Sequence, residues 1–429
     1  MDRARHAESP EPASSRARND ADRIASAVQA ASAVRASAPG ADQSLRGVGR
    51  DGGLMAAIQQ SSVAPARVSP GYRPFGIFRL MLAILVMVQH FGVVASPYVG
   101  RVLAVPATGN IAVLTFFVLS GFIITESAER FYPGRPGAFV TNRAIRILPP
   151  YLCAVLLSIG AHFLLYRTGQ LALWPPLADL PHNLFFTPGS LFSNVIYPLP
   201  VVSNIVGEPD YRFIPYAWAV RVELLFYCVI AAALAATPFF KSFAKILGGL
   251  SIVMLLIYFL WRMGLAPSMT RMVVYFGLGV SMYFAVKGSA KATIIALIFG
   301  GLALFDYYDY DAAQRTEFFT SNPSHHRLAI VEYMLLVSCM GAIPLLAKCR
   351  PGSRLQKIDA KLGGLSYSLY LNQYVAIVIV NSVFINKGYW TLFLAVILAF
   401  VLAYVMNVIV EKNTEPLRTA IRGFKLEAA

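Results

Sequence analysis

The chain has 429 residues, of which 57% are apolar and only 14% charged, and its mean hydropathy is +0.58. Soluble domains carry about 25% charged residues, so this composition excludes a soluble enzyme, a disordered scaffold and a fibrous repeat and indicates a membrane protein. The formal net charge of +15 does not point to nucleic acid, because the basic residues are dispersed between apolar runs instead of gathered on one surface.

Residues 1 to 70 are rich in Ala, Ser and Arg and hold no long apolar run, so they are predicted to form a disordered cytoplasmic tail. They lack the apolar centre of a secretory signal and are too rich in acids for an organellar transit peptide. From Phe75 onward, apolar segments recur at lengths suited to a hydrocarbon core of about 30 Å, which about 20 helical residues cross. Ten spans are predicted, at 75 to 95, 109 to 125, 147 to 166, 215 to 236, 246 to 262, 271 to 286, 292 to 306, 328 to 347, 363 to 386 and 389 to 410. The expected fold is all-α, a polytopic membrane bundle of about ten transmembrane helices. Its domain limits are 71 to 418, with a cytoplasmic C-terminal tail at 419 to 429.

Basic residues resist translocation and so report orientation. One set of alternate loops, from Arg130 to Lys425, carries 17 Lys and Arg, and the opposite set carries eight. Both termini are therefore expected in the cytoplasm. The long segment from Arg167 to Ile214, rich in Pro, Phe and Tyr, falls on the outer side, where it is expected to fold over the outer mouth or dip into it. No 20-to-50-residue repeat and no matched pair of broken helices is present, which weakens a transporter built on inverted repeats. The four cysteines lie far apart and none forms a C-x-x-C pair, so neither a disulfide framework nor a zinc site is supported.

Ionisable groups at bilayer depth cost at least a few kcal/mol and call for a partner or a task. Arg79 and His90 stand eleven residues apart on the first span. On a helix they return to within about 20° of one face, separated by about 16 Å along the axis. The pair suits an anion held at Arg79 whose reactive end reaches a base at His90. The alternative is that Arg79 reaches lipid phosphate and His90 satisfies a helix carbonyl. Glu223, about nine residues into a span running the other way, falls near the depth of His90, where a carboxylate would orient the imidazole and stabilise its protonated form. The alternative for Glu223 is a structural pair with Arg221. Arg143 and Arg146, at the start of the third span, lie at the level of Arg79 and serve either as positive anchors or as phosphate ligands. His162 and Glu332 are expected to be satisfied interfacial groups. His182, His325 and His326 fall in outer loops without a third ligand, so no metal site is expected.

Five segments taken together resemble the acyltransferase family 3 membrane proteins, which include O-acetyltransferases of surface polysaccharides, O-antigen and Nod factors. They are Arg79-x10-His90, Phe116-Phe-Val-Leu-Ser-Gly-Phe122, Asn142-Arg-Ala-Ile-Arg-Ile-Leu-Pro-Pro-Tyr151, Trp218-x4-Glu223-x2-Phe226-Tyr227, and Leu362-Gly-Gly-Leu-Ser-Tyr-Ser-Leu-Tyr-Leu371. The resemblance covers about residues 74 to 418. It implies that Arg79 and His90 engage an acyl-CoA donor and act in transfer, and that Trp218 and Glu223 occupy the later acidic motif. Where the family often has a histidine after the last motif, this chain has Asn372 and Gln373.

The expected activity is that of a membrane O-acyltransferase of a bacterial inner membrane. It would move an acyl group, acetyl by default, from cytoplasmic acyl-CoA to a hydroxyl of a saccharide or lipid-linked glycan. His90 and Glu223 are the expected catalytic residues, with Arg79, Arg143 and Arg146 on the donor phosphates. Ser120, Trp218, Tyr370 and Asn372 are expected on the substrates, Ser120 or Asn372 as oxyanion donor. Transfer through an acyl-His90 intermediate is equally compatible. The competing class is a proton-coupled transporter with His90 and Glu223 as its relay, and no nucleic-acid partner is expected in either case.

Overall fold

The computed structural model describes residues 72–104, 107–172, 185–207, 209, 211–240, 242–312 and 325–423. The tail expected at 1 to 70 lies outside them. Among the described residues the secondary structure is helical, with no strand. The elements are α1 (Gly76–His90), α2 (Pro97–Ala104), α3 (Thr108–Phe131), α4 (Pro136–Arg167), α5 (Pro188–Ile196), α6 (Pro200–Val206), α7 (Ala217–Phe240) and α8 (Phe243–Arg262). They continue as α9 (Val273–Val286), α10 (Ala290–Asp306), α11 (His325–Lys348), α12 (Ser353–Gly363), α13 (Leu365–Val383), α14 (Tyr389–Met406) and α15 (Lys412–Arg422).

Nine helical segments among the described residues are long and apolar enough to cross a membrane. Nine of the ten expected spans correspond to them; the exception is the one at 363 to 386. It is a helix, α13, but Ser366, Ser368, Asn372, Gln373 and three tyrosines make it too polar to count with the others. Its polarity has a physical reason: α13 packs against α14, α4 and α1, so most of its surface meets protein instead of lipid. The expected domain limit at 418 falls inside α15, which runs on to Arg422.

Two close backbone approaches set the bundle around the site. On α3 and α9, a Cβ added to Gly279 would stand 2.0 Å from the Val118 carbonyl oxygen, and one on Gly121 would stand 2.4 Å from that of Phe276. Only glycine lets the two helices touch this closely, as small residues do in other membrane bundles. The second approach joins α12 to the start of α1, where a Cβ on Gly363 would meet the Gly76 Cα at 2.4 Å. There the buried Asp359 carboxylate accepts the Gly76 and Ile77 amides at 2.8 and 2.7 Å and the Tyr72 hydroxyl at 2.6 Å. A helix on a different part of the chain thus caps α1 and satisfies its orphan N–H groups. Burial and the Asp359 carboxylate push the Tyr72 phenol above its ordinary pKa, so it remains the donor.

α4 is 32 residues long and contains Pro149 and Pro150. The two prolines remove the ladder donors for the carbonyls of Ile145 and Arg146, loosening the helix where it borders the site. Gly279→Ala is expected to destabilise the protein by about 1–3 kcal/mol through backbone collision. Gly301→Ala, whose Cβ meets nothing within 4 Å, is expected to leave thermal unfolding in detergent unchanged or shift it upward.

Candidate active site

Helices α1, α3, α4, α7 and α13 enclose a cavity of about 100 Å³. Arg79 and Arg146 line it together with Ser120, Glu223, Tyr227, Ser366, Tyr367 and Tyr370, and its apolar wall includes Phe116, Phe117 and Ile147. Five of the sequence-predicted residues, Arg79, Arg146, Ser120, Glu223 and Tyr370, therefore share one space. Arg79 is placed one turn into α1, directly after the cap that Asp359 supplies.

Glu223 is half-buried, and one carboxylate oxygen, Oε1, accepts both the Tyr227 hydroxyl at 2.5 Å and the Ser120 hydroxyl at 3.3 Å. Tyr227 lies one helical turn after Glu223, so that bond is local, whereas Ser120 reaches it from α3. Among the described residues no hydrogen bond is made to Oε2. Arg143 is buried beside this group, its guanidinium over the rings of Phe139 at 5.5 Å and Tyr227 at 5.7 Å.

His90 ends α1 and does not line the cavity. Its Nδ1 lies 3.4 Å from Oε1 of Gln373, and its ring stacks on Tyr216 at 3.9 Å with an interplanar angle of 4°. The carboxylate expected to orient it, Glu223, is engaged by Ser120 and Tyr227, so the amide of Gln373 takes the orienting place. The Gln373 Nε2 donates to the Tyr370 carbonyl at 3.1 Å, which turns Oε1 toward the imidazole. An amide oxygen only accepts, so Nδ1 carries the proton and Nε2 keeps its lone pair. Tyr370 in turn donates its hydroxyl to the Tyr216 carbonyl at 2.7 Å. Tyr216 and Tyr370 thus form the wall between His90 and the cavity.

Two predicted substrate residues stand elsewhere. Trp218 packs edge-on against Phe117 at 6.1 Å, behind the lining. Asn372 is fully buried, donates to the Ser368 carbonyl at 2.9 Å within its own helix, and leaves Oδ1 without a partner. It is not brought to the cavity, because on α13 it is turned away from the face that carries Ser366, Tyr367 and Tyr370.

The other buried ionisable groups singled out in the sequence have partners. His162 donates from Nδ1 to the Ser158 carbonyl at 2.7 Å and accepts the Tyr211 hydroxyl on Nε2 at 2.6 Å. The Tyr211 oxygen lies 3.0 Å from the Tyr374 hydroxyl, which ties the long segment before α7 to α13. Glu332 accepts the Ala107 amide at 3.1 Å and the Tyr307 hydroxyl at 3.0 Å. Arg221 sits over the Tyr197 ring at 5.3 Å. Among the described residues no three His, Cys, Asp or Glu side chains gather as metal ligands would.

Sequence reasoning passed over Tyr227, Ser366 and Tyr367 as site residues and met Gln373 only as the absence of a histidine. The tyrosines read as ordinary apolar-span residues. The one signal was their spacing of three and four from Glu223 and Tyr370, which puts them on shared faces.

Residues 75–411 match the family model of the acyltransferase domain of acyltransferase family 3. The curated "Putative membrane-bound transacylase BcsY" of Komagataeibacter xylinus is 24% identical over 345 residues, covering 75% of this chain and 82% of that protein. "Protein 2 in picA locus" of Rhizobium radiobacter is 30% identical over 161 residues, covering 36% of this chain and 77% of that protein. No solved structure matches significantly. With the family model spanning most of the chain, the transporter reading gives way, and the protein belongs to acyltransferase family 3 as a multi-pass membrane acyltransferase.

Proposed function

We propose that the protein transfers an acyl group, acetyl by default, from acyl-CoA to a hydroxyl of a saccharide or lipid-linked glycan. The observation that carries this reading is one cavity with guanidinium groups at Arg79 and Arg146 and a hydroxyl-bonded carboxylate at Glu223, bounded by the wall behind which His90 holds a free Nε2. The donor's phosphates would lie against Arg79, Arg143 and Arg146, whose forked donors match phosphate oxygens. The arginine-rich end would face the cytoplasm of a bacterial inner membrane, in keeping with the loop charges.

Nε2 of His90 would take the proton of the acceptor hydroxyl while its oxygen attacks the thioester carbonyl. The C–S bond breaks, the CoA thiolate leaves, and the imidazolium returns its proton to that sulfur. Gln373 positions the ring but, being neutral, stabilises the imidazolium less than a carboxylate would. Ser120 is the predicted oxyanion donor that lines the cavity, and it would have to turn its hydroxyl from Glu223 to the developing charge. The wall of Tyr216 and Tyr370 would have to part for the thioester to meet His90.

Inside-out vesicles given acyl-labelled acetyl-CoA test the reading. Label is expected in a glycan fraction with the wild-type chain, and His90→Ala is expected to lower transfer about 10²–10⁴-fold while the protein still inserts and folds. Wild-type transfer by His90→Ala removes the histidine from the chemistry, and no thioester loss with any acceptor points to another donor.

Gln373→Leu keeps the bulk and loses the acceptor, so it is expected to lower kcat about tenfold or more with KM for the donor little changed. Gln373→Glu, which restores an acceptor and adds charge, is expected to recover most of that loss. Equal kcat in all three proteins would show that the His90 contact does not matter to turnover.

A further inference from the structure

A fourth arginine stands with the three expected on the donor. Arg418 belongs to α15, which follows the last span after a π-helical turn at Asn407–Glu411. Side chains stitch this segment to the bundle at several points. Asn407 donates to the Gly364 carbonyl at 2.9 Å, Ser368 donates to the Glu411 carboxylate, and Asn142 of α4 donates to the Arg418 carbonyl at 2.6 Å. Arg135 donates to the Ile421 carbonyl at 2.5 Å. The helix is thus held by its backbone, which leaves the Arg418 side chain to face the bundle.

Arg146 is close enough to repel Arg79, Arg143 and Arg418 alike. Among the described residues no carboxylate comes within 4 Å of any of these four guanidiniums, although other arginines of the chain are so paired. The Nε atoms of Arg79, Arg143 and Arg418 are buried without a hydrogen-bond partner. The acid that acts on three of the four, Glu411, is already held by Ser368. Buried donors without acceptors and like charges in one group are each unfavourable, and together they call for an anion from outside the chain. The forked geometry and the number of donors suit several phosphate groups better than a single carboxylate.

We infer that Arg418, presented by α15, completes with Arg79, Arg143 and Arg146 a seat for the polyphosphate portion of a nucleotide-type donor. This rests on the acyl-CoA reading for the ligand's identity, but not for its charge. Arg79 and Arg146 line the cavity and would meet the phosphates nearest the thioester arm. Arg418 and Arg143 would meet those farther out. The C-terminal helix then belongs to the donor site.

Equilibrium binding to the full chain in detergent tests this, with CoA and inorganic pyrophosphate as probes. Arg418→Ala is expected to weaken CoA at least tenfold and to reduce the dependence of Kd on salt concentration, with Arg418→Lys between it and the wild type. Lys412→Ala, on the exposed part of the same helix, is expected to bind as the wild type does. Unchanged CoA affinity in Arg418→Ala, beside a loss in Arg79→Ala, overturns the seat and leaves the donor reading in place. Pyrophosphate binding that needs Arg418, without CoA binding by the wild type, overturns the donor reading and keeps the seat. Loss in Arg418→Ala and Arg418→Lys alike, with lowered thermal stability in both, marks Arg418 as structural and overturns the inference. Binding of neither probe by the wild type overturns both.

Discussion

A charged or hydrogen-bonding group inside an apolar bundle must find its partner in the protein, since lipid supplies none. Most of the architecture around the site can be traced to that requirement. The amide groups that open α1 are met by Asp359 on another helix, His162 by Ser158 and Tyr211, and Glu332 by Ala107 and Tyr307. Apart from the His162–Ser158 bond inside one helix, these answers join different elements, so the polar bonds fix helix order while packing fixes helix spacing. The arginine group differs because, among the described residues, part of it goes unanswered.

The close glycine contacts act on the same residues from another direction. Gly121 adjoins Ser120, and the approach of α3 to α9 fixes the rotation of α3 that lets that serine reach Glu223. Gly363 against Gly76 seats α12 at the start of α1, with the Arg79 Nη2 only 3.2 Å from where a Cβ on Gly363 would be. Packing too close for any side chain thus sets both ends of the cavity.

Apolar run lengths made the helices legible in the sequence, and charge at bilayer depth marked Arg79, His90 and Glu223. Which partner meets which was less legible, because depth can be counted along a helix but rotation about its axis cannot. Glu223 and His90 were expected together at one depth. Glu223 turns toward Ser120 and Tyr227, and His90 toward α13. The polar composition of α13 followed from its enclosed position, which only tertiary packing reveals. Arg418 carried no signal of its own, since a basic residue after a last span reads as a topological anchor.

The wall formed by Tyr216 and Tyr370 has a bearing on leakage. Their hydrogen bond and the stacking of His90 on Tyr216 hold two rings between the cavity and the histidine. A continuous file of water through the bundle would carry protons down the membrane potential and would expose an acyl group in transfer to hydrolysis. Two aromatic rings in that position stand in the way of such a file, so an acyltransferase can hand on its acyl group without becoming a channel.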